Sequence, residues 1–467
     1  MEGMDAYDFV VIGGGSAGYA GARTAHALGL KTAVIDGAVE LGGLCILRGC
    51  MPSKTLLESA RRYRVIRKAG EFGLSAGERG FDISNIIARK RQLIAGFSDY
   101  RAGQLQDGRF DLFRGTAEFA GPHTLLVTAA DGSQISIESR AFLIASGSSI
   151  SSPPIPGLAD AGCLTSDDLL DRESLPESLI VLGGGPVALE MASYARAFES
   201  RVTIIQRSPQ ILRGSDKDGA DALAEGLRKD GIEIFTGTKL LQIEKSGSVR
   251  RVVFVHGDQE RTVEGDEILN SLGRHAVLPK GLPVEIQNEK IAVNLSLQTS
   301  LPHIFAAGDV CSPLEVVHIA IHQGEISARN AARLLSNGEE PLETIDYRLN
   351  LFAVFTEPGF AAVGATEAEL AGRGIPFRTA KYTFDDHGKS LVMGETHGFV
   401  KLTADARSGE ILGALIVGPE AAELIHEIVV AMRFHATAAD LATTPHYHPT
   451  LSEIWLYPAE ELADAIP

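Results

Sequence analysis

Two segments of this chain repeat one pattern: Tyr7–Gly18, YDFVVIGGGSAG, and Ser178–Ala188, SLIVLGGGPVA. Each is a short apolar run followed by G-x-G-x-x-G or G-x-G-x-x-A, a helix-compatible stretch and a second apolar run, Thr32–Ile35 or Val202–Ile205. A single fingerprint of this kind turns up by chance in many sequences. Two, each in a strand, turn, helix, strand setting, specify a parallel βαβ unit made twice. Gly13, Gly15 and Gly18 of the first and Gly183, Gly185 and Ala188 of the second let the backbone turn tightly and approach a pyrophosphate. The helix N-terminus beyond them offers unpaired N–H groups and the positive end of its dipole. The fold class expected is α/β, with two Rossmann-like dinucleotide-binding domains.

The two units differ at the position that meets the adenosine ribose. In the first it is Asp36, which can accept hydrogen bonds from a ribose diol and repels a 2′-phosphate; in the second it is Gln206, followed by Arg207. The first site reads as holding FAD and the second as holding NAD(P)H, with a lean to NADPH. The alternative for Arg207 and for Arg213 is that they only decorate a solvated edge.

Between the fingerprints lies Gly42–Lys54, GGLCILRGCMPSK, with Cys45 and Cys50 bracketed by glycines. The chain has only four cysteines, so these are not part of a disulfide scaffold. On an undistorted helix their alpha carbons would be ~8.6 Å apart, beyond the ~7 Å limit for bridging. A bridge therefore needs a bent backbone, and Gly42, Gly43 and Gly49 supply the freedom. A bridge closing so small a loop adds little chain-entropy stabilisation, and strained bridges are the labile, catalytic ones. The pair reads as a redox-active disulfide. The other readings are two buried thiols or half of a metal site, the latter opposed by the lack of further paired cysteines; no metal is expected.

At 467 residues and 45% hydrophobic composition the chain can bury several cores. A formal charge of −17 argues against nucleic acid or an anionic membrane as partner and for small molecules. The N-terminus, MEGMDAYDFVVIGGG, enters an apolar strand with no basic stretch ahead of it, and the uncharged run Ala141–Ala159 is interrupted by glycine, serine and prolines. A cytoplasmic protein is expected.

Asp82–Gln106 reads as helical, Thr116–Ala145 as short strands turning at Asp131-Gly132, and Ser151–Gly157 as a linker. Leu301–Val310, LPHIFAAGDV, reads as an apolar strand ending in Gly308-Asp309, before a helix over Glu315–Leu335. A final domain of strands (Leu351–Val363, Phe399–Val417) and helices (Glu420–His435) starts at Tyr347. The basic cluster Arg61–Lys68 reads as a solvated helix face, and Cys163 and Cys311 as buried structural residues. Near the C-terminus Pro445–Glu453, PHYHPTLSE, offers a base, which a thiol enzyme needs because only the thiolate attacks a disulfide. His448, on an extended backbone before Pro449, suits that role, and Glu453 can hold its other ring nitrogen if a helix starts at Thr450. His446 reads as a packed or surface residue.

Taken together, the chain resembles, over essentially its full length, the flavin disulfide reductases that include dihydrolipoyl dehydrogenase, glutathione reductase and mercuric reductase. The motifs that carry the likeness, in order, are the GGxCxxxxCxPSK segment with Cys45 and Cys50, Gly308-Asp309, and the HPTxxE segment with His448 and Glu453. The resemblance implies that Asp309 contacts the ribityl chain and that Lys54 pairs with Glu190 beside the flavin. It places domain crossings at Gly147 and at Gly273-Arg274. The implied layout is an FAD-binding domain over 1–150 and 276–345, an NAD(P)-binding domain over 151–275 and an α+β dimerisation domain over 346–467. It further implies a homodimer whose active site is shared between subunits, with Cys50 against the flavin and Cys45 toward the substrate.

Leu44 and Leu47 stand where the family usually has threonine and asparagine, and Pro186 where a tyrosine often gates the nicotinamide. The wording of the cysteine and histidine motifs favours dihydrolipoyl dehydrogenase, although that type normally carries an acid in place of Gln206. Arg23, Arg207 and Arg213 favour glutathione reductase. Mercuric reductase is disfavoured because Trp455–Pro467 lacks its cysteine pair. From other classes, a flavin diaphorase or transhydrogenase and a lipoyl-complex scaffold compete.

Overall fold

The computed structural model describes residues 6–77, 80–336, 338 and 340–466; the start of the acidic N-terminal stretch, Met1–Asp5, lies outside them. The chain divides into two compact units. One comprises Met1–Pro52, Ala88–Ser151 and Arg274–Asp346, the other Ser53–Ile87, Ser152–Gly273 and Tyr347–Pro467.

The first unit is built on a seven-stranded sheet. Strand Ala6–Ile12 of the first fingerprint lies at its centre, with Thr32–Ile35 and Asp111–Phe113 on one side, all parallel. On its other side runs Gln134–Ile144, whose C-terminal half pairs parallel with Ala6–Ile12 and with Ile304–Ala306. The N-terminal half of that strand pairs antiparallel with Thr124–Thr128. The second half of the central strand, Phe9–Ile12, is buried throughout, which is why it reads as an unbroken apolar run. Helices Ser16–Ala27 and Val317–Leu335 cover one face and touch through backbone, since a β-carbon on Gly324 would lie 2.1 Å from the Ala17 carbonyl oxygen.

Strand Ile304–Ala306 is shorter than the ten-residue apolar run expected. Its partner offers only Phe142–Ile144, and the chain then turns at Gly308, which has a φ of +79°. After it Ala307, Gly308 and Val310 are buried without being strand, and an apolar run does not distinguish the two.

The second unit holds a parallel sheet, in the order Glu233–Phe235, Arg201–Ile205, Ser178–Leu182, Glu267–Asn270, with the second fingerprint strand in the middle. An antiparallel sheet of Thr238–Ser246, Val249–His256 and Gln259–Gly265 adjoins it in sequence. The C-terminal part is a five-stranded antiparallel sheet, in the order Leu351–Val354, Gly359–Gly364, Ile411–Gly418, Phe399–Asp405, Phe377–Thr383. Helix Ala421–Arg433 buries Leu424, Ile425 and Ile428 in the same core as Trp455, whose indole donates to the Leu424 carbonyl (3.2 Å).

The basic cluster Arg61–Lys68 lies on helix Cys50–Lys68, and Arg62, Arg67 and Lys68 are exposed as a solvated face requires. Arg64 is the exception. Its guanidinium turns inward to the Ser193 carbonyl (3.2 Å), Asp230 (3.0 Å) and Glu357 (3.2 Å). A fork of five donors satisfies three acceptors from separate segments, and that geometry outweighs the desolvation of one charge. No helix among the described residues is long and apolar enough to cross a membrane.

Candidate active site

The first fingerprint turn is closed by contacts that only glycine permits. A β-carbon on Gly13 would lie 2.4 Å from the Ala145 carbonyl oxygen, and one on Gly18 would lie 1.8 Å from the Gly13 carbonyl oxygen. Asp36, at the end of the adjacent strand, is buried; one carboxylate oxygen accepts from the Gly14 N–H (2.9 Å) and the other from the Ala38 N–H (2.8 Å). Each oxygen retains a lone pair for a further donor. Helix Ser16–Ala27 starts at Gly15 with no side-chain cap and no acid in its first turn.

The second fingerprint repeats the arrangement. Gly183 has a φ of +115°, helix Pro186–Ala197 starts at Gly185 uncapped and without an early acid, and Pro186 occupies its first turn. Helices Ser166–Asp171, Glu367–Gly372 and Ala438–Ala442, by contrast, are closed by capping boxes headed by Thr165, Thr366 and Thr437. Both fingerprint helices thus keep amide donors available to an anion. Gln206 packs against Gly184, where a β-carbon would meet its side chain at 3.1 Å, and Arg207 and Arg213 are exposed.

The cysteine segment is broken in the middle. Cys45 lies in a short helix, Gly43–Leu47; the chain bends at Arg48 and Gly49, and Cys50 opens the next helix, Cys50–Lys68. Gly42 and Gly43 carry φ values of +145° and +73°. A β-carbon on Gly49 would lie 3.2 Å from the Cys45 alpha carbon, so the bend folds the chain back on itself. Both cysteines are half-buried. Leu47, where the family usually has asparagine, packs over Gly42, and Leu44 is partly exposed. The whole segment is seated on the first fingerprint through Gly43, whose β-carbon would lie 2.6 Å from the Gly15 alpha carbon.

Two further constellations are assembled. Also in the first unit, Ser148 donates to Asp309 (2.6 Å) and accepts from Arg274 Nε (2.8 Å). This network links the residues after Gly147 and Gly273 to the Gly308-Asp309 turn. In the second unit Lys54 donates to both oxygens of Glu190 (2.9 and 2.7 Å), with side chains 31% and 5% exposed respectively. Glu190 also accepts the Phe355 N–H (3.1 Å), and the Lys54 ammonium stands 4.7 Å from the Phe355 ring centre.

His448 Nδ1 meets Glu453 Oε2 at 3.1 Å. The His448 side chain is 81% exposed and that of Glu453 8%, so a buried carboxylate fixes the ring and leaves Nε2 facing outward. Glu453 does not sit in an α-helix begun at Thr450; it lies in a 3₁₀ turn, Ser452–Trp455, that runs into helix Leu456–Ala465. Helix starts commonly tighten in this way. The His446 side chain is buried and anchored between Glu427 (2.5 Å) and the Thr444 carbonyl (2.9 Å), which leaves His448 as the accessible ring of the two.

Residues 7–324 match the pyridine nucleotide-disulphide oxidoreductase family, and residues 352–458 match its dimerisation domain. The chain belongs to this family. A dihydrolipoyl dehydrogenase of Bacillus subtilis is 34% identical over 464 residues, covering 96% of each chain. A mercuric reductase of Bacillus cereus is 31% identical, covering 97% of this chain and 71% of its own. Among solved structures, LpdA from Mycobacterium tuberculosis superposes with a TM-score of 0.85 at 28% identity, covering 97% of this chain and 99% of that one. The HOCl-induced flavoprotein disulfide reductase RclA from Escherichia coli, as a Cu(II) complex, also gives 0.85, at 27% identity and 98% and 100% coverage.

As a family member the chain is an oxidoreductase of disulfides dependent on FAD and a pyridine nucleotide, similar to dihydrolipoyl dehydrogenase. The uncapped helix Ser16–Ala27, buried Asp36 and the Ser148–Asp309–Arg274 network fit a flavin dinucleotide. The remaining cysteines are poorly suited to redox work. Burial pushes the Cys163 thiol up and the Cys311 thiol up to about 12, so neither forms the thiolate readily. Sequence reasoning did not single out Ser148, Phe355 or the Gly43–Gly15 seat. Only the last carries a local signal, the paired glycines of Gly42-Gly43.

Proposed function

We propose that the chain exchanges electrons between a nicotinamide nucleotide and a lipoyl-type dithiol, working as a homodimer in which His448 of the partner subunit serves Cys45 and Cys50. The observation that carries this is His448, exposed with Nδ1 tied to Glu453 and its other nitrogen turned outward. A ring held in this way suits thiols brought to it by another chain.

In the dithiol-oxidising direction the partner subunit's His448 takes the proton of a substrate thiol. The thiolate attacks Cys45 Sγ, an S–S bond to the substrate forms, the Cys45–Cys50 bond breaks and Cys50 leaves as thiolate. The second substrate thiol then displaces Cys45 as the cyclic disulfide closes. A bound flavin supplies the two-electron relay from the dithiol to the nicotinamide. Lys54 and Glu190 act as a fixed ion pair for that relay. Reduction of a disulfide is the same sequence reversed.

NADPH is the favoured nucleotide: Gln206 brings no repelling charge, and Arg207 and Arg213 are free to meet a 2′-phosphate. Arg23, which would favour a glutathione substrate, is bound to Glu325 (2.7 Å), and this supports the lipoyl reading. Steady-state rates with NADPH and NADH across lipoamide, oxidised glutathione and Hg(II) test the assignment. Lipoamide should give the highest kcat/KM, and His448→Ala should slow it about 100-fold while leaving reduction of an artificial dye intact. Equal loss of both activities would refute the base.

A further inference from the structure

Behind Glu453 lies a second histidine that no motif contains. His387 follows the 3₁₀ turn Phe384–Asp386 and heads the short helix Gly388–Met393. Its side chain is fully buried, and Nε2 stands 3.5 Å from Glu453 Oε1, the carboxylate oxygen not used by His448. Nε2 is buried and has no hydrogen-bond partner. Nδ1 is 2.8 Å from the Ser390 hydroxyl, itself buried. The rings of Phe384 and Tyr457 present their edges at 6.4 Å.

We propose that His387 is a positioning residue that orients Glu453 toward His448 and keeps its carboxylate charged during thiol chemistry. With Ser390 donating to Nδ1, the ring proton lies on Nε2 and points at Glu453 Oε1. The contact is at the outer limit of a hydrogen bond, so a small movement of Glu453 completes it. Without that contact the buried Nε2 has no partner, and a buried donor left unsatisfied is costly. Burial pushes the His387 imidazole below the ordinary histidine range, against the pull of Glu453, which keeps it a neutral donor. The titratable groups around it are Glu453, His448 and Tyr457, with Tyr382 stacked on Tyr457 and bonded to Asp386. A carboxylate held against an imidazole favours its cation as a general rule, and the cation is the form that returns a proton to a departing thiolate.

This rests on His448 being the base. The test uses the FAD-loaded full-length protein and follows lipoamide reduction against pH. His387→Leu should lower kcat about 5-fold at pH 8 with KM unchanged and move the alkaline limb of the profile about one unit lower. Dye reduction should not change. His387→Gln, whose amide reaches the place of Nε2–H, should restore the wild-type profile, while His387→Asn, which reaches only the place of Nδ1, should behave like His387→Leu. An unmoved limb, equal profiles for the Gln and Asn variants, or parallel loss of dye reduction overturns the inference. The Gln and Asn pair decides it even if the Leu variant does not fold. His448→Ala separates the two claims: if that variant keeps full lipoamide turnover, the base reading fails, and with it this one. If it loses turnover while the His387 variants are silent, only the positioning role fails.

Discussion

Gly43 lies so close to Gly15 that a β-carbon on Gly43 would sit 2.6 Å from the Gly15 alpha carbon. The cysteine segment and the dinucleotide fingerprint are therefore one packed object, held by two glycines that are far apart in sequence. Gly43→Ala adds both a left-handed strain, at a φ of +73°, and a backbone collision. A loss of about 2–5 kcal/mol is expected from strain and overpacking together. Gly96→Ala, in the interior of helix Ile83–Leu105 with open space around it, should be neutral or stabilise by up to about 1 kcal/mol. Urea unfolding compares the two, and flavin retained after dialysis should fall only for Gly43→Ala.

The Lys54–Glu190 pair is asymmetric in its exposure, which makes the two halves unequal. Removing Lys54 leaves a buried carboxylate with the Phe355 N–H as its remaining donor, whereas removing Glu190 leaves an ammonium that can reach water. Lys54→Met should therefore destabilise by about 1–3 kcal/mol and Glu190→Gln by less than about 1 kcal/mol, the partial exposure of Lys54 screening the charge. Denaturant midpoints at constant slope measure the difference. Equal midpoints for the two variants would contradict the asymmetry.

The thiols divide by environment. Cys311 is held at about 12 by burial and Cys163 is also pushed up, so neither forms thiolate readily near neutral pH. After reduction, iodoacetamide at pH 8 should modify Cys45 or Cys50 well before Cys163, with Cys311 last, as read by peptide mass spectrometry. Cys163→Ser and Cys311→Ser should each keep disulfide turnover within about 2-fold, because their thiols take no part in exchange.

What could be read from the sequence was whatever backbone chemistry writes locally. The fingerprints, the glycine-bracketed cysteines and the histidine segment each confine their constraints to a dozen residues. Glycine in a tight turn, or a thiol pair on a bendable backbone, means the same thing wherever it occurs. The features that escaped depend on distant partners. Arg64 is indistinguishable in sequence from exposed Arg62, and its distant partners Ser193, Asp230 and Glu357 turn it inward. His387 gains its meaning from Glu453, which nothing in FDDHGKS announces. The shortened strand at Ile304–Ala306 reflects what its neighbour can pair, and a buried apolar turn reads like a strand.

Lys401 shows the same dependence and carries the last prediction. It lies in strand Phe399–Asp405, buried, with its ammonium hydrogen-bonded to Asp216 (2.8 Å), Asp218 (2.9 Å) and Glu367 (2.8 Å). Lys381 also reaches Asp218. Burial opposes the Lys401 charge, but the bonds to Asp216, Glu367 and Asp218 outweigh it and raise its pKa above the ordinary lysine value. Burial likewise opposes ionisation of Asp218, and the bonds from Lys381 and Lys401 overcome it and lower its pKa. A raised lysine contributes stability that is lost as pH climbs past its folded value, and a lowered aspartate contributes stability that is lost as pH falls. The cluster should therefore stabilise most between about pH 4 and pH 10. Lys401→Met leaves Asp216 and Glu367 without their shared cation, with Lys381 still on Asp218, and should cost about 1–3 kcal/mol at pH 7 because these carboxylates are partly exposed. That deficit should shrink below pH 4 as the carboxylates take up protons. Melting temperatures of both proteins from pH 3 to pH 10 measure it, and a deficit that does not narrow in acid would rule out the charge cluster as its source.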